Sequence, residues 1–80
     1  MAITDQIRDY VARTFGKEVA PHDSLLDSGL VDSTGIFELV GFLEETFAVK
    51  IEDEEIVPEH FETSVMVAAF IERKRAGRAA

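Results

Sequence analysis

Apolar residues recur at helical spacing in three stretches of this chain. Ile3, Ile7, Val11 and Phe15 form one stripe, with Tyr10 beside it, which predicts a helix over 3–15. Thr4 is its expected N-cap, with Asp5 favourable in the first turn. Gly16 is the expected stop, helped by Lys17. Ile36, Leu39, Leu43 and Phe47, widened by Val40 and Phe42, form a second stripe and predict a helix over 33–47. Asp32 is its expected N-cap. Gly35 and Gly41 each weaken that helix by about 1 kcal/mol relative to Ala, so tertiary packing must offset them. Phe37 falls off the stripe, on the side that carries Thr34 and Gly41. Val67, Phe70 and Ile71 mark the inner face of a last helix, capped by Thr63 or Ser64 and running to about Arg75. Arg73, Lys74 and Arg75 lie in its final turn, where cations suit the helix dipole. Residues 76–80 are expected to be a frayed tail. Pro58 opens a short helical turn over 58–62, with Val57 extended before it and Phe61 as its anchor.

The connections are uneven. Residues 16–31 form a long loop in which Pro21, Ser24, Ser28 and Gly29 mark turns. Leu25, Leu26, Leu30 and Val31 give it an apolar side for packing on the core. Loops of this length are uncommon in so small a domain and are often functional. In the second loop, 48–57, Val49 and Ile51 alternate with charge, as in a short extended stretch. Three main helices and one short one make an all-α antiparallel bundle. The long first loop leaves the relative direction of the first two helices open.

The chain has 80 residues, enough for a single domain over 1–80. A domain of this size buries only roughly 60–65% of the surface its unfolded chain exposes, too little for both a core and a deep catalytic cleft. There is no Cys and no Trp, which fits a reduced compartment. The start, Met-Ala-Ile-Thr-Asp-Gln, has no basic segment ahead of an apolar one, so no signal peptide is expected. No apolar run reaches the roughly 18 residues of a membrane span. A cytoplasmic protein is the expectation.

The net charge is −8, and its distribution is more telling. Residues 18–62 hold thirteen acids and one base, Lys50; the remaining bases lie toward the two ends. The middle of the chain is a negative surface that repels nucleic acid and anionic lipid and steers basic partners. The acids Glu52, Asp53, Glu54 and Glu55 lack the alternating oxygens and glycine of an EF-hand loop, so they read as a solvated turn rather than a metal site.

The candidate chemistry lies in the run Leu25-Leu26-Asp27-Ser28-Gly29-Leu30-Val31-Asp32-Ser33-Thr34-Gly35-Ile36-Phe37-Glu38-Leu39-Val40. It sets the small hydroxyl of Ser33 at a loop-to-helix junction, accessible and preset in direction. A nucleophilic serine needs a base and an oxyanion hole. His22 and His60 are the only imidazoles, neither in a recognisable spacing, and no Gly-x-Ser-x-Gly elbow occurs. Catalysis by the chain itself is not expected, and no catalytic residue is assigned. Ser33 suits a residue that another enzyme modifies. The other reading is an unmodified acidic interaction domain in which Ser33 only caps a helix. Phe37, apolar and predicted exposed, is a candidate partner contact.

Asp32-Ser33 after Asp27-Ser28-Gly29-Leu30-Val31, followed by Glu38-Leu39-Val40 and Leu43-Glu44-Glu45-Thr46-Phe47, resembles the acyl carrier proteins and peptidyl carrier domains. Val49-Lys50-Ile51-Glu52-Asp53-Glu54-Glu55 and Pro58-Glu59-His60-Phe61 extend the resemblance over nearly the whole chain. It implies a four-helix carrier bundle. It also implies a 4'-phosphopantetheine arm, moved from coenzyme A onto Ser33 beside Asp32 by a phosphopantetheinyl transferase. The arm carries an acyl or aminoacyl group as a thioester. The second helix, with Asp32, Glu38, Glu44 and Glu45, is then the surface read by a ligase, synthase or transferase with basic docking residues. A monomer without a metal is expected. Thr34 follows the serine where the family usually has an apolar residue, Gly41 stands where a bulky one is usual, and Phe37 is larger than is common at its place. These differences alter the docking surface and point to a specialised stand-alone carrier rather than the general one of fatty-acid synthesis.

Overall fold

A computed structural model describes residues 2–26 and 29–79, with side chains as far as Gly77. The expected turn at Ser28 lies outside the described residues. Helix α1, Ile3–Phe15, has the predicted bounds and turns Ile7 and Val11 into the core. Its N-cap is Ala2, without a side-chain cap, and not Thr4. Thr4 lies inside the first turn, because the helix begins one residue before it. Gly16 ends α1 in the left-handed conformation at φ 78°, its N–H donating to Ala12 O at 3.0 Å. That conformation carries little penalty only for glycine.

The loop that follows is tied down at both sides. Arg8 Nε donates to Val19 O at 2.7 Å. Leu25 N–H donates to Glu62 O at 2.6 Å and Val65 N–H to Pro21 O at 3.2 Å. Leu25 and Val31 are buried, and Leu26 and Leu30 pack against the core. The loop is therefore bonded to α1 at its start and, further on, to Glu62 and to Val65 in the first turn of the last helix.

Helix α2, Ser33–Phe47, buries Leu39, Val40, Leu43 and Phe47. It runs antiparallel to α1, because Phe15 at the end of α1 meets Gly35 at the start of α2, and Tyr10 stacks on Phe42 with ring centroids 4.1 Å apart. Val49 and Ile51 are both buried, but the segment forms no strand. A 3-10 turn, Asp53–Glu55, interrupts the second loop, which the alternating pattern had not predicted. Helix α3, Pro58–Phe61, has Pro58 in its first turn and buries Phe61 completely. Helix α4 spans Ser64–Ala79 and packs on both α1 and α3. Its cap is Thr63, whose Oγ1 accepts the Met66 N–H at 3.1 Å. It continues past the expected end at Arg75, since Ala76, Gly77 and Arg78 contain no proline or turn signal strong enough to stop it. Among the described residues no helix is long and apolar enough to cross a membrane.

Lys74 clamps the 3-10 turn to α4, its Nζ lying 2.6 Å from Glu55 Oε1. The Glu52 N–H donates to the same carboxylate oxygen at 2.9 Å. Lys74, and after it the Glu52 amide, hold the Glu55 carboxyl below its ordinary value of 4.5. A depressed carboxyl adds stability above its unfolded pKa and loses that contribution as pH falls through the folded value. Acid should therefore destabilise the native chain more than Glu55→Gln. Melting temperatures of both, scanned downward from pH 6, should converge; parallel curves would remove Glu55 from the acid response.

Candidate functional site

The site is the start of α2 and the solvent face behind it. Asp32 is extended, φ −86° and ψ −172°. Its Oδ1 accepts the Gly35 N–H at 2.7 Å and its carbonyl accepts the Ile36 N–H at 2.9 Å. Those two bonds fix the first turn, so Ser33 is held at the first helical position and is exposed. Helix geometry leaves the earliest amides outside the intrahelical ladder, at the positive end of the dipole.

Gly35 explains how the seam beside Ser33 closes. A Cβ there would lie 2.8 Å from Phe15 Cε1 and 3.2 Å from Asp32 Oδ1. The glycine is a seat for the Phe15 ring and gives room to the cap. Reading Gly35 only as a weak helix former missed this, although the signal was present: Gly35 sits four residues before Leu39 and eight before Leu43, on the apolar stripe itself.

The remaining candidates separate into two groups. Thr34, Phe37, Glu38, Gly41 and Glu45 are exposed on one side of α2, Phe37 at 62%. Glu44 is half-buried, and its Oε2 accepts the Ile51 N–H at 2.9 Å. With Asp32 occupied as the cap, two of the four acids named for this face are engaged within the fold. Glu38 and Glu45 are the two exposed acids of α2 itself, and Asp32, although it caps the helix, is exposed as well. Neither histidine is bonded to Ser33: His60 stacks on Phe70 at 4.4 Å, and His22 is exposed in the first loop. Among the described residues no group of three His, Cys, Asp or Glu is placed to hold a metal ion.

Gly41 contrasts with Gly35. A Cβ at Gly41 meets nothing within 4 Å. Gly41→Ala should raise stability by up to about 1 kcal/mol, or about 4–8 °C in melting temperature for a domain of this size. Gly35→Ala should not share that gain, because Phe15 must move. Thermal melts of both variants decide it; a destabilised Gly41→Ala would mean that the helix needs glycine there.

Across residues 5–71 the sequence matches the family model for the phosphopantetheine attachment site. The chain belongs to that family. No curated protein matches the chain. Phosphopantetheine-attachment domains are carriers rather than catalysts, and bear a 4'-phosphopantetheine group on a serine. They work with a phosphopantetheinyl transferase and with biosynthetic enzymes. The four helices seen here agree with that carrier bundle. The start of α2 also fits the group chemically. An exposed hydroxyl at the positive end of a helix suits a phosphodiester anion.

Proposed function

We propose that Ser33 is the attachment point of the phosphopantetheine arm. On this reading the chain is a single-domain, monomeric, cytoplasmic carrier of acyl or aminoacyl cargo. The observation that carries the proposal is the exposure of Ser33 at a capped helix start. Of the other described serines, Ser64 is fully buried and Ser24 is half-buried in a bridge to Thr63. When bound, the arm supplies a terminal thiol that holds cargo as a thioester.

Each residue of the site then has a task. Asp32 fixes the first turn, so the backbone that carries Ser33 is set before any partner arrives. Ser33 Oγ forms the bond to the phosphorus of coenzyme A as the pyrophosphate bond breaks and adenosine bisphosphate leaves. The hydroxyl proton passes to a base on the transferase, because no imidazole of this chain accompanies Ser33. The positive end of the α2 dipole would favour the negative charge of a phosphodiester on Ser33. Glu38 and Glu45 draw partners with Lys or Arg rims, and Phe37 offers an aromatic anchor of the kind that dominates interfaces. Thr34, Gly41 and Glu44 complete or border that face.

Incubation of the unmodified chain with coenzyme A and a broad-range transferase tests the reading by intact mass. The expected result is one arm per chain. Absence of a gain with several transferases would leave an unmodified acidic interaction domain, with Ser33 as a helix start. The rate should also fall with salt, because exposed charges act only within a Debye length of about 8 Å at physiological ionic strength. Reversing Glu38 and Glu45 to Lys should lower the rate and flatten the salt response. A wild-type rate that ignores salt would remove charge from partner recruitment.

A further inference from the structure

Helix α2 contains two glycines, and the fold accounts for one of them. Gly35 seats Phe15, whereas nothing lies within 4 Å of a Cβ placed on Gly41. Gly41 is not among the residues with positive φ, so any side chain could adopt its backbone conformation. It is also exposed. Neither packing nor conformation requires glycine there, yet the helix bears the propensity penalty. A glycine that the chain itself does not use points to another molecule that must approach closely.

The neighbours of Gly41 define what approaches. Ser33, Phe37, Gly41 and Glu45 are four residues apart and share one ridge of the helix. Along it come a hydroxyl, an aromatic ring exposed at 62%, a gap, and a carboxylate. Gly41 lies about 12 Å from Ser33 along the helix axis. Helix α2 holds no Lys or Arg.

We infer that the gap at Gly41 is the seat of a protruding apolar side chain of the phosphopantetheinyl transferase that modifies Ser33. The inference rests on the carrier reading above. An enzyme that bonds phosphorus to Ser33 Oγ must lay its surface over the start of α2, and the ridge beginning with Ser33 lies beneath it. An enzyme acting at the far end of a long arm is under no such constraint. A side chain entering the gap touches the Phe37 ring and is therefore apolar. A Lys or Arg next to it meets Glu45 and Glu38, exposed acids of the helix that have no ion pair among the described residues.

The test is the steady-state kinetics of arm transfer from coenzyme A, using one purified transferase that modifies the wild-type chain. Gly41→Leu fills the gap with a good helix former in open space, so its melting temperature should not fall. Its KM for the carrier should rise roughly tenfold while kcat stays within about twofold. Gly41→Ala should raise KM by roughly threefold, and it carries the test if Gly41→Leu proves unstable. Glu72→Gln, on the exposed side of α4, should leave KM unchanged. An unchanged KM for a folded Gly41→Leu overturns the notch and leaves the carrier reading standing. A wild-type chain that accepts no arm from any transferase overturns both.

Discussion

Phe61→Ala should destabilise the domain by roughly 3–5 kcal/mol, the range for deleting a buried Phe side chain. Phe61 is fully buried, and its ring meets Phe70 at 5.7 Å and 61°. It is also the only buried residue of α3, which has four residues. A helix that short does not persist by propensity alone, so α3 exists because Phe61 docks it. Against a total stability of about 5–15 kcal/mol, with small domains at the low end, the loss is a large fraction of the whole. Phe37→Ala is the matched control, since its ring is mostly in solvent and its loss should stay within about 1 kcal/mol. Chemical denaturation of the two variants should differ by several kcal/mol in the stated order. Equal losses would mean that the core does not run through Phe61 as described.

Ser33→Ala should remain folded and accept no arm at all. The variant removes an exposed hydroxyl at the first helical position, while the Asp32 carboxylate continues to accept the Gly35 N–H. Loss of a cap residue typically costs about 1 kcal/mol, and Ser33 is not the residue that caps, so the stability change should be smaller. Coenzyme A-dependent mass gain should vanish even at high transferase concentration. Thr34 is the next hydroxyl along the helix, but it lies roughly 100° further around it and should not substitute. A variant that still gains the arm would place attachment elsewhere.

Much of this architecture was legible because its signals are local. The stripes of α1 and α2 predicted their bounds, and at α1 the stop at Gly16 agrees with the amphipathic spacing, whereas α2 ends at Ala48 in the left-handed conformation without a glycine. The Asp32 cap followed from residue type, and the exposure of Phe37 from its place off the stripe. What stayed hidden depends on contacts distant in sequence. The antiparallel pairing of α1 and α2 is decided by Tyr10 on Phe42 and by Phe15 on Gly35, which no single window contains. The bond from the Ile51 amide to Glu44, an acid that the resemblance puts on the docking face, joins residues of α2 and of the loop after it and leaves Glu44 half-buried at the border of that face. The 3-10 turn at Asp53–Glu55 depends on Lys74 of α4, whose ammonium gathers an acidic segment that would otherwise repel itself. The cap at Ala2 shows the limit of residue preference, because a helix can begin without a side-chain cap when its apolar face is buried.

The most direct measurement locates the arm. After transfer from coenzyme A, tryptic digestion yields the peptide spanning residues 18–50, which holds Ser24, Ser28 and Ser33. Fragment-ion mass spectrometry of that peptide distinguishes the three. The account predicts the whole mass gain on Ser33, with Ser24, Ser28 and Ser64 unmodified. An arm found on any other residue, or no arm on a chain that the transferase encounters at saturating concentration, would contradict it.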